Sequence, residues 1–180
     1  MYRSRLTLRI SEAELLSFEK CYGDPSEDDH VIEVGGQMRA AGEMSLNQLR
    51  VLAKWKFQND RYKNLELIND NADTLVRGWS RVFLEQKSPM LCLVRKDKPR
   101  GVGAALASVI LHLAHNDRYP VWDQRSLWSC GLDFHPPFDT ELWEEYVELC
   151  RGLSDRLDAP MRTIDRSLFG LSKFKGHAVR

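Results

Sequence analysis

Apolar positions in this chain recur mostly at three- and four-residue intervals, the spacing that gathers side chains on one face of a helix. Leu15, Leu16 and Phe18 follow Ser11-Glu-Ala-Glu14, and Leu46, Leu49, Val51, Leu52 and Trp55 follow Ser45-Leu-Asn-Gln48. Both openings have the serine-to-Glu/Gln spacing of a capping box, in which two side chains satisfy the first free amides of a helix. Leu75, Val76, Trp79, Val82 and Phe83 predict a third helix, with Asp70 or Asn71 as its cap. Ser88-Pro89 starts a short helix through about Arg95, because proline is tolerated in a first turn. Further helices are predicted over 103–115, over 123–130, and from Asp139-Thr140, where Glu141, Glu144 and Glu145 suit the positive end of the helix dipole. Pro160 precedes a last one over 161–173.

Two short stretches break the helical period. Leu6, Leu8 and Ile10 alternate, and Val31, Ile32 and Val34 run up to Gly35-Gly36, a pattern that predicts a small hairpin-like β element. Residues 23–30 and 131–138 are loops by composition. The expected class is therefore all-α, with a small β element near the N-terminus.

A chain of 180 residues can bury a real interior, as one domain or as two lobes. No apolar run approaches the ~20 residues of a membrane span, and MYRSRLTLRI lacks the apolar stretch of a secretory leader. Cys21, Cys92, Cys130 and Cys150 are widely spaced, which predicts reduced thiols in a cytoplasmic protein and no structural zinc. Net charge is zero, which by itself does not favour a nucleic-acid partner. Its distribution is uneven. Residues 50–63, with Arg50, Lys54, Lys56, Arg61 and Lys63 against Asp60, carry +4. RKDKPR (95–100) carries +3 and the tail 161–180 carries +4, while 139–158 carries −5. A neutral chain can still present one basic face.

The stretch GVGAALASVILHLAHNDRYPVWDQR (101–125) concentrates the chemistry. Glycines let a backbone turn tightly and approach another surface. The first amides of the helix that follows are unpaired donors at the positive end of its dipole. Arg95, Lys96, Lys98 and Arg100 stand just upstream, and Ala104, Ala105, Ala107 and Ser108 keep one helix face small. Two short helices joined by such a turn form a sequence-independent clamp on a phosphate backbone. Beyond the helix, Pro120 biases Tyr119 towards extended geometry, so that Asp123 falls at the N-cap of the next helix, shielded by Trp122 and Tyr119.

Gly-Val-Gly, a small-residue helix and an aspartate after an extended Pro-Val-Trp resemble the signature of the helix-hairpin-helix DNA glycosylases. That superfamily includes endonuclease III and the adenine, alkylpurine and 8-oxoguanine glycosylases. The resemblance covers about 41–175 and is strong over 99–128. It implies a two-lobed fold, with a central lobe at 41–122 and a second lobe from 1–40 and 123–180. Asp123 would be the catalytic carboxylate, stabilising the sugar cation as the glycosidic bond breaks and orienting the nucleophile. Gly101, Val102 and Gly103 would hold a DNA phosphate, with Arg95, Lys96, Lys98 and Arg100 as supporting charges. In the family the hairpin carbonyls often coordinate a monovalent cation, so one is implied at Gly101–Gly103. A flipped nucleotide would lie between the lobes. Trp55 and Trp122 are candidates to stack on its base, and Lys56 of WKFQND would stand beside the base-binding cleft.

The chain also departs from the family. Bifunctional members carry a lysine two residues after the second hairpin glycine, and Ala105 stands there, which implies a monofunctional, water-using enzyme. Arg100 replaces the usual proline, and the iron–sulphur cysteine loop is missing, so no cluster is expected. His112 and His115 could pair on one helix, yet no carboxylate or cysteine completes a metal site at suitable spacing. His135 lies in a loop, and Trp79 and Trp143 read as core. The expectation is a monomeric enzyme, without cofactor or membrane, that removes a damaged or modified base from DNA. The alternatives are a helix-hairpin-helix DNA-binding module without chemistry, and an interaction domain using the acidic 139–158 helix.

Overall fold

The structure, a computed structural model, describes residues 5–57, 64–86, 89–115, 118–133 and 137–176. Asp60, Arg61, Lys63, Ser88 and His135, named above, lie outside the described residues. Among those described, every regular element is a helix. In chain order they are α1 (Glu12–Leu15), α2 (Asp29–Ala41), α3 (Leu46–Phe57), α4 (Asn64–Asn69), α5 (Asp73–Glu85), α6 (Ala104–Ala114), α7 (Gln124–Ser129), α8 (Thr140–Leu157) and α9 (Met161–Phe174). Short 3-10 helices occupy Leu16–Cys21, Pro25–Asp28 and Pro89–Val94. No helix among the described residues is long and apolar enough to cross a membrane.

The chain divides into two compact units, Glu27–Asn116 and a discontinuous unit of Met1–Ser26 with Asp117–Arg180. Both boundaries differ from those expected at 41 and 122. Residues 29–41 belong with α6, against which α2 packs. Residues 118–122 belong with α9, whose Asp165 holds their backbone.

In the Glu27–Asn116 unit, α6 is the central element, buried from Leu106 through Ala114. α2 lays Val31, Gly35 and Met38, one helical stripe, into this core. Gly35 is there because of the closeness of approach: a Cβ on it would sit 2.5 Å from the Leu113 carbonyl oxygen. Arg39 Nη1 donates to the same oxygen at 2.5 Å. Leu49, Leu52 and Ala53 of α3 are buried, and on α5 Trp79 stacks on Phe83 with ring centroids 4.4 Å apart. Asp73 Oδ1 accepts from the Leu46 amide at 2.7 Å, so the first residue of α5 caps the start of α3.

The predicted β element does not form. Val31, Ile32 and Val34 lie inside α2, because the stripe through Val31, Gly35 and Met38 buries a face that alternating geometry would split. The Leu6–Ile10 segment pairs elsewhere: the amides of Thr7 and Arg9 donate to the carbonyls of Cys130 and Ser129 at 2.9 and 3.1 Å. α4 is a helix that periodicity did not predict. The cap position of α5 is Ala72, without a side-chain bond, rather than Asp70 or Asn71.

In the other unit α9 is central, burying Ile164, Leu168 and Leu171. It packs on the 3-10 helix at Gly170, where a Cβ would stand 2.1 Å from the Phe18 carbonyl oxygen. α7 is tied to it by Ser129 Oγ, which donates to the Leu168 carbonyl at 2.6 Å. Trp122 meets Phe138, Trp143 and Tyr146 edge-on or tilted, with centroids 5.7 to 6.0 Å apart, the favourable range for aromatic pairs. Cys130 and Cys150 are fully buried beside this cluster. Burial pushes the Cys130 thiol up to about 12 and the Cys150 thiol well above its ordinary value.

Two outcomes follow. Gly35→Ala and Gly170→Ala each drive a methyl group into a backbone carbonyl, and each should lower the unfolding free energy by about 1–3 kcal/mol in urea melts. Because only thiolates are alkylated readily, native protein at neutral pH should take iodoacetamide at half-exposed Cys21, leaving buried Cys92, Cys130 and Cys150 unlabelled. Unfolding in urea should release all four, as counted by mass spectrometry.

Candidate functional site

The Gly-Val-Gly turn is a braced structure. Gly101 has φ of +81°, in the left-handed region that favours glycine. Gly103, extended at φ −109° and ψ −177°, is the N-cap of α6. Between them Val102 points inward and is 1% exposed. The turn departs from helical geometry, and the polar groups of Arg100 are met by a residue distant in sequence. Asn71, 8% exposed, accepts from the Arg100 amide through Oδ1 at 2.7 Å. Its Nδ2 donates to the Arg100 carbonyl at 3.0 Å and to the carbonyls of Leu67 and Ile68, in the last turn of α4, at 3.0 and 2.9 Å. One buried amide thus joins the end of α4 to the start of the turn.

The four cations of RKDKPR have separate fates. Arg95 makes a two-point pair with Asp97 at 2.8 and 2.7 Å, and this partner raises its pKa while offsetting its charge. Lys98 turns inward: its Nζ donates to the Val102 carbonyl at 2.6 Å, and burial pulls its pKa below the ordinary lysine value. Arg100 is exposed, with Nη1 at 3.4 Å from the exposed Asp70 carboxylate. Lys96 is exposed. The segment leading in is a 3-10 helix rather than an α-helix, and it leaves Leu91 and Val94 exposed.

Asp123 belongs to the other compact unit. It is the N-cap of α7, with φ −134° and ψ 138°, and its Oδ1 accepts from the Arg125 amide at 2.8 Å. The extended residues before it are fixed from both sides at Val121. The Val121 amide donates to Asp165 Oδ1 at 3.1 Å, and its carbonyl accepts from the Tyr146 hydroxyl at 3.3 Å. Asp165, buried in α9, is itself paired through Oδ2 to Arg162 Nη1 at 2.7 Å, and Arg162 also donates to the Tyr22 hydroxyl at 2.8 Å. Behind Asp123, α7 is clamped by Arg9, which donates to the Trp128 carbonyl at 2.6 Å and lies 4.5 Å over the Trp128 ring. The sequence offered Asp123 but not these positioning residues. Asn71, Asp165 and Tyr146 act over distances in sequence that no local pattern reports.

The remaining candidates are scattered. Trp122 is 1% exposed and packs its ring within the aromatic core of its own unit, which takes it out of contention as a stacking surface for a base. Trp55, half-buried on α3, donates from Nε1 to buried Asp28 at 3.1 Å. Lys56 is its half-buried neighbour in the same unit. His112 is buried in α6, and no group of three potential metal ligands occurs among the described residues. No family model matches the chain, and neither a curated protein nor a solved structure does.

The bracing makes a quantitative expectation. Asn71→Ala strips partners from the Arg100 backbone and from the end of α4, and should lower the urea-unfolding free energy by about 2–3 kcal/mol. Asp70→Ala removes only an exposed ion pair and should change it by less than about 1 kcal/mol.

Proposed function

We propose that this chain is a monofunctional DNA N-glycosylase of the two-lobed helix-hairpin-helix type. The reading is carried by the geometry at Asp123: a half-buried N-cap carboxylate whose approach segment is fixed at both polar groups of Val121. Such fixing exceeds what capping six residues of helix requires. It suits a carboxylate that must hold its place while charge develops nearby, since preorganised groups need no reorganisation at the moment of reaction. The braced turn at Gly101–Gly103, with exposed Lys96 and Arg100, supplies the phosphate contact.

In the reaction the bond between C1′ of the sugar and the base nitrogen breaks, and its electron pair leaves with the base. Asp123 stabilises the positive charge left on the sugar. A water oxygen then bonds to C1′ and gives up a proton to the carboxylate or to solvent. Ala105 stands where a lysine would attack in its place, so no Schiff base forms and the product is an intact abasic strand. The substrate is a base whose departure is eased by damage or modification.

The test is release of free base, followed by mass spectrometry, from oligonucleotides bearing oxidised, alkylated, deaminated or hypermodified bases. Wild type should release at least one of them. Asp123→Asn keeps an acceptor for the Arg125 amide, so the cap and the fold survive while turnover is lost. Lys96→Gln should weaken DNA binding and reduce the slope of log affinity against log salt by about one. Salt-sensitive binding without release across the panel would favour the non-catalytic DNA-binding module; activity in Asp123→Asn would overturn the assignment of the carboxylate.

A further inference from the structure

A monovalent cation at the turn carbonyls is part of the family pattern, and the residues present here do not fit one. The Val102 carbonyl, at the centre of Gly101–Gly103, already accepts from the Lys98 ammonium at 2.6 Å. We infer that Lys98 is the resident cation of this turn, a positioning residue that takes the place of an alkali-metal ion.

Three observations carry the inference. The first is the contact itself, made by a half-buried side chain that folds back over its own turn, four residues along the chain. Tethering at that distance gives the ammonium a high effective concentration at the carbonyl, which a dissolved ion must match from bulk solution. The second is that no carboxylate among the described residues pairs with the Lys98 ammonium, whose pKa burial lowers. Arg95, by contrast, is engaged by Asp97, the acid of the same segment. The third is the rigidity of the rest of the turn. The Val102 amide donates to the Pro99 carbonyl at 3.3 Å, and Asn71 holds both polar groups of Arg100. An alkali ion needs several oxygens at once. Here it would meet one oxygen already taken, and a fixed positive charge beside it.

The consequence is a turn whose order, and whose hold on a phosphate, does not depend on which alkali ion is present. Only the DNA-binding half of this statement rests on the proposed function; the order of the turn does not.

The experiment uses the full chain at constant ionic strength in potassium, sodium or tetramethylammonium chloride, the last being too large to enter a carbonyl site. Thermal melting and affinity for a fluorescent DNA duplex are read in each salt, for wild type and for Lys98→Met. Wild type should melt at the same temperature and bind within twofold in all three. Lys98→Met should melt lower and bind several-fold more weakly in tetramethylammonium, with potassium restoring part of both. A wild type that needs potassium, or a Lys98→Met protein indifferent to the salt, overturns the inference. The wild-type series decides even if the variant fails to fold. If no salt supports DNA binding, the proposed function fails, while the melting curves still test Lys98.

Discussion

A backbone that leaves helical geometry close to a packed interior must find partners for its amide and carbonyl groups, since an orphaned buried group costs about as much as several good contacts return. Segments 98–103 and 119–123 both face that constraint, and they hold the candidate residues Gly101–Gly103 and Asp123. Each is met by buried side chains from elsewhere: Asn71 for the first, Asp165 and Tyr146 for the second. The placement of α4 follows from the first, because the Asn71 amide also closes the carbonyls of Leu67 and Ile68. The Arg162–Asp165–Val121 chain follows from the second, and with it the placement of α9 against the extended segment. The Asp165 carboxylate is nearly buried, which is tolerable only because Arg162 and the Val121 amide both meet it.

Helix beginnings were legible in the sequence at Ser45, Asp123 and Asp139, whereas Ser11 opens α1 without a side-chain bond to a helix amide, its hydroxyl donating to the Glu14 carboxylate instead. Ser45 and Gln48 form the reciprocal box their spacing predicts: the Gln48 amide bonds Ser45 Oγ at 3.3 Å, and Oε1 of Gln48 accepts from the Ser45 amide at 2.8 Å. Asp123 and Asp139 cap α7 and α8 as read. What was not legible depends on distant partners. Gly35-Gly36 looked like a turn after three β-branched residues, whereas Gly35 marks a close helix contact whose other half, Leu113, lies 78 residues downstream. Asn71 looked like a helix cap because caps and backbone staples use the same short amide. The basic run RKDKPR read as four equal charges, and only the fold separates the one spent on Asp97 from the one turned under Val102.

Charge tells the same story over the rest of the surface. Within the acidic stretch 139–158, Arg5 bridges Asp139 and Glu145, while Arg156 of the stretch itself pairs with Glu12 outside it. The hydrogen bond from Arg5 holds the Asp139 carboxyl below the usual carboxylate range. On the other unit Glu43 gathers Arg77 and Arg81. Of the acids in 139–158, Asp139 and Glu145 are thus met by a cation from outside the stretch, and in RKDKPR Arg95 is offset by Asp97. The pairing of Arg95 shifts the weight of any phosphate contact onto a few exposed cations, Lys96 and Arg100 among them, rather than onto a broad basic face.

An N-cap aspartate is among the commonest of structural devices, so its presence in α7 alone would decide nothing about catalysis. The difference lies in how much structure is invested upstream of it. A plain cap needs one acceptor at most, and α5 begins at Ala72 with no side-chain cap bond at all. Asp123 has its approach segment fixed at Val121 by a buried carboxylate and a buried tyrosine, and its helix fixed at Trp128 by Arg9 and at Ser129 by α9. Ordering those side chains opposes folding, and part of what they secure is the position of one carboxylate. The proposed electrostatic role in a bond-breaking step would give that arrangement a purpose, because stabilisation of a developing charge depends on donor and acceptor being in place before the charge appears.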